Sequence, residues 1–294
     1  MKTEREMLDI IIKITKDDER VRAVYLFGSR ADPDVKKDAF QDYDIIFVVT
    51  ETESFQADKN WFYRFGDIAA LIEGERNALL FFGRKDMSAL SRRCVFNILF
   101  SDNDSLDLVV EIKEEAIKNF IEFKPNIILL DKDDFLSGII TTTDNNYEYL
   151  KPDENAYRAC CSNFWWFMVY PAKGIARGRI PYAMSSFNTF TRTLLNRMIE
   201  WYIGVQTAYS ISIGKSEKLY EKYLPIDIFD LYSKTYTGND YWVIIFHTCE
   251  LFNKTALAVG THFNFVYNQQ EQDSMIKYLN YIKDACSLRY HPNA

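Results

Sequence analysis

Two aspartates with one residue between them, Asp42 and Asp44, open the apolar run Ile45–Val49. A short apolar run after a polar loop reads as a buried β-strand, so 42–50 (DYDIIFVVT) is expected to be one. Side chains alternate faces along a strand, which puts Asp42 and Asp44 on one face and Tyr43 on the other. Two carboxylates about 5 Å apart repel by roughly 3 kcal/mol at an effective dielectric near 20. A fold tolerates that in open water, or with a divalent cation between the two. Mg²⁺ suits the second case, since it takes one or two carboxylates together with phosphate oxygens and water.

A second buried strand, VRAVYLFG (21–28), precedes the pair and stops at Gly28. Residues 31–41 are polar, carry Pro33 and read as a loop. Gly28 lets the backbone approach a phosphate, amides of the following turn can bind its oxygens, and the Ser29 hydroxyl adds a donor beside Arg30. CVFNILF (94–100), the polar turn SDNDS (101–105) and LDLVVEI (106–112) read as a hairpin. Within it, Asp107 sits among Leu106, Leu108 and Val110, where an acid is costly without a partner. Adjacent strands lie about 4.8 Å apart. If 106–112 runs beside 42–50, Asp107 joins Asp42 and Asp44 in a three-carboxylate site suited to two-metal phosphoryl or nucleotidyl transfer. Each piece alone has a plainer reading. A Gly-Ser-Arg is common, an Asp-x-Asp is usually solvated, and a strand acid can simply guard an edge. Their order on strands is what gives the combination weight.

The 294 residues carry 42 acids against 35 lysines and arginines, a net charge of −7. That balance argues against wrapping nucleic acid, which needs a basic face, and favours a cationic small-molecule partner. Five cysteines without paired spacing and three histidines with no cysteine partners argue against a disulfide framework and a zinc site. The charged N-terminus has too short an apolar core for a signal peptide, and no stretch has the length of a membrane span, so the expected location is cytoplasmic. Nothing in the sequence sets an oligomeric state. Past Lys151-Pro152 long apolar-periodic stretches replace the strands, at 154–170, 182–208, 239–260 and 272–286. The expected fold class is α+β: an N-terminal domain over 1–150 with a mixed β-sheet flanked by helices, then a C-terminal helical bundle over 151–294.

The arrangement strand–Gly-Ser–loop–Asp-x-Asp, with a later acid between apolar residues, resembles the nucleotidyltransferase superfamily that includes DNA polymerase beta. FGSRADPDVKKDAFQDYDIIFVV (27–49) looks like the aminoglycoside 6-adenylyltransferases, the streptomycin-modifying group. The likeness continues through LLDKDDF (129–135), CCSNFWW (160–166), YPAKG (170–174), MIEWYIG (198–204), IGKSEKLYEKYLP (213–225) and LFNKTALAV (251–259). The resemblance implies transfer of AMP from ATP to an aminoglycoside hydroxyl, with pyrophosphate released. It implies Mg²⁺ on Asp42 and Asp44, Asp107 as a further ligand or as the base, and a helical domain that helps bind the drug. Family members carry a proline-rich stretch after the second strand; LIEGERNALLFFGRKDMSALSRRC (71–94) keeps little of it. That departure leaves open another acceptor, such as a lincosamide, and a non-catalytic nucleotide-binding regulator stands as the remote alternative.

Lys215 and Lys218, in a glycine-flanked loop, can hold a triphosphate, although most lysines are simply exposed. Trp165, Trp166 and Tyr170 are expected in the core of a helix, Lys173 beside a Gly174 helix cap, and Glu200 on a helix face. The cysteines, His247 and His262 are expected to be structural.

Overall fold

The computed structural model describes residues 2–33, 35–122, 125–139, 151–211, 217–238 and 240–290. Two compact units divide the chain, Met1–Thr142 and Thr143–Ala294. The boundary expected at 150 falls in 140–150, outside the described residues.

The first unit is built on a six-stranded mixed sheet of β1 (Val21–Phe27), β2 (Tyr43–Val49), β3 (Ile68–Glu73), β4 (Arg93–Phe100), β5 (Ser105–Ile112) and β6 (Asn126–Asp131). Their order across the sheet is β3-β4-β5-β2-β1-β6. Among the described strands β2–β5 is the parallel pair, and the other four pairings are antiparallel. The hairpin β4–β5 forms as expected, with Asn103 in the left-handed region (φ 70°) inside its turn. The strands β3 and β6, at the sheet's two edges, escape the sequence reading.

Each face of the sheet has its own core. On one face Tyr43, Ile45, Phe47 and Val49 of β2 pack with Leu106, Leu108 and Val110 of β5. The helix α1 (Glu4–Asp17) covers this face with Met7, Ile11 and Ile14, the residues its spacing predicts. Its start is fixed by a capping box between Thr3 and Glu6. On the opposite face Ile46, Val48 and Val109 form a smaller cluster with Ala116 and Phe120 of α4 (Lys113–Glu122). The short helices α2 (Glu53–Ala57) and α3 (Gly74–Phe81) complete the unit.

The second unit is helical: α5 (Glu154–Ala176), α6 (Ile180–Ser186), α7 (Arg192–Gln206), α8 (Tyr220–Tyr223), α9 (Ile226–Lys234), α10 (Tyr241–Phe263) and α11 (Gln269–Tyr290). The stretch expected at 182–208 is broken by a π-helical turn, Phe187–Thr191. Phe164 of α5 stacks on Phe252 of α10 with centroids 3.6 Å apart, and both belong to one buried apolar core.

Three finer expectations change here. Gly174 is no cap, because α5 runs on to Ala176. A Cβ at Gly174 would lie 2.8 Å from the Ala183 Cβ, so the glycine lets α6 pack against α5. Trp165 is buried and donates from Nε1 to the Tyr267 hydroxyl at 3.0 Å, whereas Trp166 is 60% exposed and lies outside the core. The loop expected over 209–225 contains the helical turn α8. Cys94, Cys160, Cys161 and Cys249 are free and buried. No helix among the described residues is long and apolar enough to cross a membrane.

Candidate active site

Asp44 and Asp107 are direct register partners on the parallel strands β2 and β5. Parallel strands enter a sheet from the same end, so two acids near their strand starts meet. They lie on the face that carries Ile46, Val48 and Val109 further along the same strands. Those inner residues are buried under α4, while the aspartates stay half-exposed at the strand ends. Asp42 stands just before β2 and is exposed. Its Oδ1 accepts a short hydrogen bond from the hydroxyl of Ser105, at the start of β5. Asp42 is thereby tied to the strand that carries Asp107.

Gly28 follows β1 in the left-handed region, φ +72°, which L side chains rarely adopt. A Cβ there would fall 2.3 Å from Asp44 Oδ2. The residue is glycine because the chain must turn directly against the carboxylate. Ser29 and Arg30 complete the turn. The Arg30 guanidinium faces the approach to β2, donating to the Asp42 carbonyl at 3.0 Å and the Gln41 carbonyl at 2.6 Å. It also lies 3.9 Å from the Tyr43 ring centroid. In this position Arg30 holds the backbone of the acidic pair in place.

Two residues of the site escape the sequence reading. One is Ser105; the other is Asn97 of β4, whose Nδ2 donates to Asp107 Oδ1 at 2.6 Å. Both are ordinary polar residues in a hairpin, and only strand register points them at the acids. Deeper along the same face, Glu111 is fully buried. It accepts from Asn119 at 2.6 Å and Tyr25 at 3.4 Å and lies 3.6 Å from Arg93. Burial pushes its carboxyl up to about 7.

Carboxylate oxygens from neighbouring strands are the donors a hard divalent cation takes. Among the described residues no three His, Cys, Asp or Glu side chains form a ready-made metal cage. That is compatible with Mg²⁺, which draws its remaining ligands from phosphate and water. Of the two lysines singled out, Lys215 lies outside the described residues and Lys218 is exposed. Glu200 is half-buried beside Arg197 at 3.1 Å, and burial raises its carboxyl. A concavity of about 620 Å³ is lined by Glu75, Ala78, Leu79, Phe82 and Arg84, and none of the three aspartates lines it.

A family model described as streptomycin adenylyltransferase matches residues 1–282. An aminoglycoside 6-adenylyltransferase of Bacillus subtilis (strain 168) is 33% identical over 276 residues, 92% of this chain and 95% of its own. One of Staphylococcus aureus is 31% identical over 277 residues, 93% and 96% of the two chains. A crystal structure of an aminoglycoside 6-adenyltransferase from Bacillus subtilis aligns with 96% of this chain and 99% of its own, at 30% identity and a TM-score of 0.44. The class is therefore an enzyme, a nucleotidyltransferase. The chain belongs to the streptomycin adenylyltransferase family, as its motifs led us to expect.

Proposed function

We propose that the enzyme transfers AMP from ATP to a hydroxyl of an aminoglycoside, the 6-hydroxyl of streptomycin, and releases pyrophosphate. The observation that supports this best is the register of Asp44 with Asp107 across a parallel strand pair, with Asp42 tied to β5 by Ser105. The relatives' names supply the acceptor class. The acidic balance of the chain, −7, suits a cationic acceptor.

In this reading Asp42 and Asp44 hold Mg²⁺, with Asp107 as the third carboxylate of the site. The ion, when bound, neutralises charge on the triphosphate and the leaving pyrophosphate. The acceptor oxygen attacks the α-phosphorus in line, a new P–O bond forms, and the bond to the β-phosphate oxygen breaks. Asp107 takes up the acceptor's proton. The turn Gly28-Ser29-Arg30 brings backbone amides and a hydroxyl to the phosphates. Lys215 and Lys218 are candidates for the same anion. Residues 1–150 are the nucleotidyltransferase domain and 151–294 the helical substrate-binding domain, working in the cytoplasm.

The departure at 71–94 motivates one alternative acceptor, a lincosamide. The decisive experiment incubates the protein with ATP, Mg²⁺ and a panel of acceptors, followed by mass spectrometry. Streptomycin heavier by one AMP, with fragmentation placing it on the 6-hydroxyl, is the expected result. An untouched streptomycin beside another adenylated acceptor would move the assignment there. Binding of ATP with no pyrophosphate released from any mixture would leave a regulator.

A further inference from the structure

Asn97 pairs in register with Asp107 on one side and with Ile72 of β3 on the other. Its Nδ2 donates to Asp107 Oδ1 at 2.6 Å. The amide must present its nitrogen there, because its oxygen would repel a carboxylate. Behind the amide stands Gly74, the first residue of α3, where a Cβ would lie 2.5 Å from Asn97 Oδ1. Gly74 is not among the glycines with positive φ, so space rather than backbone conformation asks for glycine. Asn97 thus links the tight space beside Gly74, in the 71–94 segment, to the carboxylate of Asp107.

We propose that Asn97 is a positioning residue for Asp107, and that Gly74 sets the position of Asn97. With one carboxylate oxygen held by the amide, rotation of Asp107 is restrained and its other oxygen is the one left for chemistry. Such supporting partners are worth about 10- to 100-fold in activity at comparable sites. The proposal rests on the role given to Asp107 above.

The test compares Asn97→Ala, Asn97→Asp, Gly74→Ala and the double variant Asn97→Ala/Gly74→Ala, with Asp107→Asn alongside. Pyrophosphate release is followed with ATP, Mg²⁺ and the acceptor that the wild type adenylylates in the panel. Asn97→Ala is expected to lower kcat about 10- to 100-fold, with KM for ATP within about threefold and the melting temperature nearly unchanged. Asn97→Asp keeps the shape but replaces the donor by a repelling oxygen, so it should be slower than Asn97→Ala; a space-filling role predicts the reverse. Gly74→Ala should slow turnover severalfold, and the double variant should be no slower than Asn97→Ala, since both act through one contact. An Asn97→Asp enzyme at least as fast as Asn97→Ala, or additive effects of the two sites, would overturn the proposal. Near-normal Asp107→Asn turnover would instead remove the role of Asp107 itself. A readout free of any acceptor is the Asn97 side-chain amide in ¹⁵N NMR of the metal-free protein. Its downfield proton should move upfield in Asp107→Ala, and an unmoved signal would rule the contact out.

Discussion

Gly28 and Asp44 approach so closely that a single added carbon on the glycine would sit 2.3 Å from the aspartate's Oδ2. The turn after β1 and the acid on β2 therefore occupy one fitted space. Gly28→Ala must push Asp44 aside, and it also forces a left-handed backbone on alanine at a cost of about 1–2 kcal/mol. Turnover is expected to fall at least about 100-fold with a modest loss of stability, checked by steady-state kinetics and denaturant unfolding. An alanine variant as active as the wild type would mean that Asp44 need not stay where it is.

The carboxylates themselves are tested by removing charge without changing shape. Asp42→Asn, Asp44→Asn and Asp107→Asn should each lower turnover at least about 100-fold while circular dichroism stays that of the wild type. A purified Asp44→Asn protein with near-normal activity would end the proposed mechanism.

Glu111 makes stability depend on pH. Burial raises its carboxyl to about 7 in the folded chain, from the usual 4.5. Between those values the folded state binds a proton the unfolded state has lost. The stabilisation is therefore full below about 4.5 and is lost as pH rises through 7. Glu111→Gln keeps partners for Asn119 and Tyr25 and cannot ionise. Its unfolding free energy should vary less between pH 5 and 8 (a range of about three units around neutrality) than that of the wild type. Identical pH slopes for the two proteins would show that Glu111 titrates normally.

Gly174→Ala probes the helical unit. In a helix interior this change ordinarily stabilises by about 1 kcal/mol. Here the new methyl meets the Ala183 Cβ at 2.8 Å and its Cα at 3.0 Å. Overpacking should dominate and destabilise the protein by about 1–3 kcal/mol, visible as a lower melting temperature. A stabilised variant would mean that α6 shifts away at no cost.

Local pattern determined several features without help from the fold. The spacing of Met7, Ile11 and Ile14 already defined the buried face of α1, and alternation already separated Asp44 from Tyr43. The short turn after Phe100 already implied the β4–β5 hairpin. These features depend on neighbours in the chain, so periods of 3.6 and 2 reveal them. The edge strands β3 and β6 mix exposed and half-buried positions, which blurs the alternation and leaves no strand signal in the local pattern. Tertiary structure alone decided that β5 lies beside β2 and parallel to it. An antiparallel pairing would have carried Asp107 toward the far end of β2, and nothing in either strand's composition chooses between the two. The same choice turned Asn97 and Ser105 from ordinary hairpin residues into partners of the acids. Strand register is set by the packing of the whole sheet, whereas a residue's face on its own strand is set by its immediate neighbours.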